Sequence, residues 1–341
     1  MPTHRKRATT IKKATDKETG TYTAEDSLSK LWKSFSETVS VRATPNITFH
    51  EPSRRISDIY SELKIKNEIS KLEQKAETLS KELAQAIIDQ NAADAQKEQE
   101  FNNVIEEIKS KQKLEHLLRC ISPDAHEAIE LNDDFRANFD TGNEVEAFVV
   151  SIDIRRSTEL MLKAKTASAF ADFITKLCSD FDSIIKDNYG VVDKFTGDGI
   201  LAYFPKFFSG PDAGFYALKA SQEAHRLFEE RYKEYRSSFS TVLKSVGLGI
   251  GIDYGNVHLL NIAGALTVVG QPVVYACRMG GAPAGETYLN QPAFEEVTEK
   301  YAGVTTIEET TITIKAEGEL LAYSAKLNGK HIKIQAPEWI Q

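Results

Sequence analysis

The spacing of apolar and polar residues changes character twice along this chain of 341 residues. Residues 1 to about 45 are polar, rich in Lys, Thr and Ser, and carry no apolar period, so the segment 1–55 reads as a weakly ordered tail. From Ile56 to Gln90 the apolar positions Ile65, Ile69, Leu72, Ala76, Leu79, Leu83 and Ala86 recur at alternating spacings of four and three, with Lys and Glu between them. That is an a/d seam, and it predicts a helix able to pair with a second copy as a parallel coiled coil. An amphipathic helix lying on the protein's own core would show the same pattern. A polar bridge, Asn91 to Asn103, separates this helix from a second helical stretch, Val104 to Leu118, which Ser122-Pro123 ends. Residues 56–143 therefore form a helical, coiled-coil dimerisation segment in this reading.

The period shortens from about Glu144, where a second domain, 144–335, begins. An apolar strand runs to Ile154, followed by a helix over roughly Ala167 to Lys186. Val191 to Phe204 reads as strand, tight turn, strand, because Gly197-Asp198-Gly199 interrupts two β-rich runs. A helix from Asp212 to about Tyr235 comes next, then a strand pair, Ser245–Ile252 with Asn256–Leu260, turning at Tyr254-Gly255. A short helix over Val273 to Met279 precedes strands at Thr311–Lys315 and Leu320–Ser324. Mixed βαβ and hairpin units predict an α+β fold with a ferredoxin-like βαββαβ centre.

Composition narrows the function classes. A net charge of -8 gives no reason to expect nucleic-acid binding through the molecule as a whole. Cys120, Cys178 and Cys277 are far apart and form neither a CxxC nor a Cys/His pattern, as expected of reduced thiols in a cytoplasmic protein. No apolar run reaches a membrane-spanning length, and no signal-peptide core follows the basic start. The expectation is a cytoplasmic protein with no membrane or nucleic-acid partner.

Two aspartates concentrate the chemistry. Asp153 stands at the end of the apolar run Ala147–Ile154, and Asp198 stands at the tip of the hairpin. Carboxylates presented from a strand end and a hairpin tip can share a pair of divalent cations. Mg²⁺ takes one or two carboxylates plus waters and substrate phosphates, and paired ions favour in-line displacement at phosphorus. The pair points to chemistry on a nucleoside triphosphate.

Over about residues 145 to 330 these segments resemble the catalytic domain of class III nucleotidyl cyclases. Four stretches carry the resemblance: Ser151-Ile152-Asp153-Ile154-Arg155-Arg156-Ser157-Thr158, Asp193-Lys194-Phe195-Thr196-Gly197-Asp198-Gly199, Gly247–Gly255, and Gly270–Met279. A strand-end aspartate or a Gly-Asp-Gly turn alone is usually structural; four stretches in family order and spacing are specific. The resemblance implies that Asp153, Asp198 and the Ile154 carbonyl hold two Mg²⁺ or Mn²⁺ ions. It further implies that Arg278 stabilises charge on the phosphate under attack and that Lys315 grips the triphosphate. Family sites form between protomers, so a homodimer is implied.

The stretches Leu266–Arg278 and Gly281–Thr287 look in addition like the pyrimidine cyclases of bacterial Pycsar antiphage systems. That likeness implies a uridylate cyclase making 3′,5′-cyclic UMP and pyrophosphate from UTP, with the messenger read by a separate effector. Cytidylate cyclase, then adenylate cyclase, are the alternatives. The base-binding positions fall on Lys194 and Thr267, a pairing that goes with adenine in purine cyclases. Where family members usually carry an asparagine, four residues before the arginine, this chain has Val274, and Tyr275 beside it is the third candidate substrate- or base-binding residue. A nucleotide-binding pseudo-cyclase is the non-enzyme alternative motivated by Val274, although keeping Asp153, Asp198 and Arg278 together argues for an active enzyme.

Overall fold

The structure is a computed structural model that describes residues 56–314 and 317–340. The expected weakly ordered tail and Lys315 lie outside those residues. By contacts the chain divides into two compact units, Met1–Gln90 and Asn91–Gln341.

A single helix, α1, runs from Ile56 to Cys120, 65 residues in all. The polar bridge expected at Asn91–Asn103 does not interrupt it. Ala, Gln, Lys and Glu dominate that stretch, and their helix propensity sustains the backbone without an apolar face. In the first unit Ile65, Ile69, Leu72, Leu79 and Leu83 are all exposed, between 49% and 66%.

The second unit is an α+β fold around one eight-stranded sheet. Its centre consists of β1 (Glu144–Arg155), α2 (Ser157–Lys163), α3 (Ala167–Asp187), β2 (Val191–Phe195), β3 (Ile200–Pro205), α4 (Ala213–Glu234) and β4 (Gly247–Ile262). The strands lie in the order β2-β3-β1-β4, all antiparallel, which is the expected ferredoxin-like arrangement. Beyond them come β5 (Ala265–Val269), α5 (Gln271–Met279), β6 (Glu286–Leu289), α6 (Gln291–Tyr301), β7 (Thr305–Ile314) and β8 (Gly318–Leu327). β6 runs parallel to β4 and leads through β8 to β7 at the edge.

One expectation fails in β4. Tyr254-Gly255 is no hairpin turn: the strand continues straight through to Ile262, and the reversal falls at Ala263-Gly264 before β5. Gly255 takes a φ of 152°, and an added Cβ there would lie 3.1 Å from the Pro272 ring at the start of α5. The glycine serves a close approach and a backbone angle, not a turn. The two short elements β6 and α6 had no place in the sequence reading.

Period-2 alternation sends the two sides of β1 into different cores. Phe148, Val150, Ile152 and Ile154 face α3 and α4, which contribute Phe173, Leu177, Phe181 and Ile185 at helical spacing, and Ala217, Ala220, Ala224 and Phe228. Ala147 and Val149 face the opposite side, which is covered by Leu117, Ile121, Ile129, Phe139 and Phe208 together with Ala276 of α5. Ser151 and Asp153 share this second face, where α5 covers the sheet and leaves its outer end open.

Candidate functional site

The seat of α5 is a row of glycines. Gly249 and Gly251 in β4 pair with Asp153 and Ser151 in β1, so their missing side chains would stand on the second face. A Cβ on Gly251 would lie 2.1 Å from both the Ala276 carbonyl oxygen and the Gly280 nitrogen; one on Gly249 would lie 2.4 Å from the Ala282 oxygen. Helix backbone thus rests directly on strand backbone, and no larger residue fits there. This contact fixes Tyr275 and Arg278 relative to the strand that carries Asp153.

Asp153 and Asp198 are brought together by the β1–β3 pairing. Ile152 opposes Ile200, which sets the hairpin tip against the end of β1. The tip closes through a Thr196 amide to Gly199 carbonyl bond of 2.9 Å, with Gly197 at a φ of 90°. A Cβ on Gly199 would lie 2.3 Å from the Ile152 carbonyl oxygen, so glycine lets the hairpin press onto β1. Burial, and then the negative charge of Asp198, raise the Asp153 carboxyl above its ordinary pKa, against the lowering effect of Arg155. Arg155 donates from Nη1 to Asp153 Oδ2 at 2.7 Å, and the Asp153 side chain remains 42% exposed. The Ile154 side chain is buried on the opposite face.

Lys194 and Thr267 meet as well. The Lys194 ammonium donates to Thr267 Oγ1 at 2.7 Å and lies 3.0 Å from Asp193 Oδ2. Asp193 falls at an irregularity in the β2–β3 register, where its wholly buried side chain accepts the Val268 amide at 3.1 Å. The result ties β2 to β5 across their facing edges.

Arg278 is held twice. Its guanidinium lies over the Tyr275 ring, 5.0 Å from the centroid, and its Nη2 donates to Glu317 in the β7–β8 turn. Val274 is exposed on the same helix. The structure therefore gathers the sequence-derived residues into three local groups: Asp153 with Asp198, Lys194 with Thr267, and Tyr275 with Arg278. Sequence reasoning passed over Arg155, Asp193 and Glu317. The first two stand inside the motifs already singled out, each next to a chosen residue, and that adjacency was the available signal.

No family model matches the chain, and no curated protein sequence matches it. Solved structures similar to it include the adenylyl cyclase CyaB from P. aeruginosa, at 18% identity over 56% of this chain and 98% of that one, with a TM-score of 0.49. The guanylyl cyclase Cya2 follows at 19% identity, 56% and 96% coverage and a TM-score of 0.48. The guanylate cyclase domain of RhGC from Catenaria anguillulae, in complex with GTP, is similar at 17% identity, 54% and 98% coverage and a TM-score of 0.43.

Proposed function

We propose that this chain is a nucleotidyl cyclase of the class III type, working as a homodimer, which converts UTP to 3′,5′-cyclic UMP and pyrophosphate as an antiphage messenger read by a separate effector. The observation that carries the cyclase reading is the pairing of Asp153 with Asp198 on the open end of the sheet face, beside the glycine-seated helix bearing Arg278. In the reaction the ribose 3′-oxygen attacks the α-phosphorus, the bond to the bridging oxygen of the β-phosphate breaks, and the 3′-hydroxyl proton is lost.

The donor set fits Mg²⁺ or Mn²⁺. Asp153, Asp198 and the Ile154 carbonyl offer only hard oxygen ligands, and the two neighbouring carboxylates carry more negative charge than Arg155 alone balances. Such ions, when bound, supply charge neutralisation at the phosphates and acidify the attacking hydroxyl. The protein's own part is positional and electrostatic. Asp153 and Asp198 present their charge from a strand end and a hairpin that glycine packing holds together. Arg278 offers a planar, permanently charged fork to the phosphate under attack, and Tyr275 supports that fork from beneath. Lys315 belongs to the same proposal as a triphosphate-binding group. The carboxylates and Arg278 of one chain serve different sites in the dimer, and the exposed seam Ile65–Ala86 of α1 pairs with its copy as a coiled coil.

The pyrimidine preference rests on the likeness of Leu266–Arg278 to pyrimidine cyclases and on Val274, which cannot hydrogen-bond a ribose. A second reading, adenylate cyclase, draws on the direct Lys194–Thr267 bond, because that pair goes with adenine in purine cyclases. The test is competition among equal concentrations of the four ribonucleoside triphosphates with Mn²⁺, the cyclic products being separated by mass. Cyclic UMP in excess is expected, cyclic CMP would move the choice to the other pyrimidine, and predominant cyclic AMP would establish the second reading. No cyclic product from any of the four would leave a binding protein.

A further inference from the structure

Arg155 has no assigned part in the chemistry above, yet its contacts reach both halves of the protomer's machinery. Its Nη1 donates to Asp153 Oδ2 at 2.7 Å and lies 3.5 Å from the carbonyl oxygen of Gly280, the residue that ends α5. The side chain reaches that position across β4, where Gly249 makes room: a Cβ on Gly249 would lie 2.7 Å from Arg155 Cδ. The Arg155 side chain is 35% exposed, so it is neither a loose surface charge nor a sealed structural one. The C-terminal end of a helix carries partial negative charge, which adds to the attraction.

We propose that Arg155 is a positioning residue that orients Asp153 in the free enzyme and competes with divalent cations for its carboxylate. Asp153 can give Oδ2 to the guanidinium or to a cation, and both positive charges cannot occupy that oxygen at full strength. Were Asp153 to give Oδ2 to a cation, Arg155 would lose its bond to that carboxylate and keep its place beside the end of α5. Because α5 carries Arg278, the exchange links the carboxylate half of one protomer to its arginine half. In the homodimer proposed above, on which this consequence rests, those halves serve different sites.

The test uses the full chain and Mn²⁺ alone, followed by electron paramagnetic resonance of the free ion, with no nucleotide present. Arg155→Met keeps an unbranched stem to pack over Gly249 but removes the charge and the donors. It should bind Mn²⁺ more tightly than the parent, on the order of tenfold or more, since a unit charge about 4 Å from a dication shifts its affinity by at least that much even at the dielectric of water. Arg155→Lys should return affinity close to the parental value. In activity assays Arg155→Met should lower the Mn²⁺ concentration needed for half-maximal turnover by the same factor, because the competitor for Asp153 Oδ2 is gone. A purely structural role would leave affinity unchanged or weaken it in step with thermal stability, and either result overturns the proposal. Asp153→Ala separates the two ideas: if the parent binds Mn²⁺ and this variant binds it equally well, the carboxylate assignment itself fails and takes the role of Arg155 with it. If Asp153→Ala abolishes binding and Arg155→Met does not tighten it, the carboxylate reading survives and Arg155 alone is misassigned.

Discussion

Lys194 gives one of its three N–H donors to Thr267 Oγ1 at 2.7 Å, and it lies 3.0 Å from Asp193 as well. Lysine has three donors and no acceptor, so little of its capacity is left for a ligand. Thr267 still has its own O–H to donate and a lone pair free. The pair therefore presents a small, rigid set of groups held between β2 and β5. Replacing Thr267 by Val keeps the shape and removes the hydroxyl. If the pair reads the base, Thr267→Val should alter the ratio of cyclic products by tenfold or more, in line with the penalty for an unpaired polar partner in a site, about 1–3 kcal/mol. An unchanged ratio with unchanged total turnover would remove Lys194 and Thr267 from the base site.

The glycine seat of α5 gives a stability prediction independent of function. Gly251→Ala would set a Cβ 2.1 Å from two backbone atoms of the helix, so α5 must lift or the strand must bend. A loss of about 3 kcal/mol or more in urea unfolding is expected, at the upper end for overpacking, because no flexible side chain can yield. Gly303→Ala, where nothing lies within 4 Å, is the matched control and should be close to neutral. Equal effects at both positions would contradict the packing described for α5.

Much of the sheet was legible because period-2 alternation and turn chemistry act locally. Phe148, Val150, Ile152 and Ile154 announce one buried face, and Gly197-Asp198-Gly199 announces a reversal. The β4–β5 connection was not legible for a physical reason. Tyr254-Gly255 has the look of a turn, but its glycine answers to Pro272, some 17 positions along the chain, while the real turn at Ala263-Gly264 lies in an apolar setting. The candidate carboxylates could be read as a pair because each occupies a marked place, a strand end and a hairpin tip. The bond from Arg155 to Asp153 is local, but its reach to Gly280, like the Glu317–Arg278 pair, depends on the stacking of α5 on the sheet and the return of β7 into β8, which no local pattern announces.

The division of labour proposed between protomers is testable by mixing. Asp153→Ala lacks one carboxylate and Arg278→Ala lacks the arginine proposed to face the phosphate; each alone should lose nearly all turnover. Together they should regain activity, because a mixed dimer pairs the intact carboxylates of one chain with the intact arginine of the other. Only one of its two sites is whole, so recovery should stay below half of the parental rate. Absence of recovery after demonstrated subunit exchange would mean that each site lies within a single chain.

Glu317 carries a prediction about Arg278. The carboxylate accepts from the Arg278 Nη2, and in the proposed reaction a triphosphate would have to draw that guanidinium away. Both side chains are partly exposed, 28% for Arg278 and 38% for Glu317, so the pair is worth little, about 0.5–1 kcal/mol. Glu317→Gln should therefore lower KM for the nucleotide by about twofold to fivefold and leave unfolding stability within about 0.5 kcal/mol of the parent. A raised KM would show instead that Glu317 aims the arginine rather than competing for it.

Acid sensitivity of the fold should trace to His225 on α4. Its ring nitrogen Nε2 lies 3.0 Å from Thr287 Oγ1, and Glu286 and Lys326 are the charged groups that act on it. Burial, the dominant cause, pushes its pKa down from 6.5 to about 4, with Lys326 lowering it further and Glu286 opposing. Between those two values the unfolded chain binds a proton that the native chain does not, so stability is intact above about pH 6.5 and falls as pH drops toward 4. The loss has an upper limit of about 3 kcal/mol, from 1.36 kcal/mol per pKa unit. Asp253 works the other way. Its carboxyl accepts from the Tyr254 amide and from Asn290, and burial raises it from 3.8 to about 6, so the native chain takes up a proton first and gains stability as pH falls through that window. Between about pH 6.5 and 6 the histidine dominates, and between pH 6 and 4 the two nearly cancel. Urea midpoints measured from pH 7.5 to 4.5 should then show His225→Gln flattening the decline that begins near pH 6.5, while Asp253→Asn steepens it below pH 6. Curves that run parallel for the parent and both variants would mean that neither group titrates differently in the folded and unfolded states.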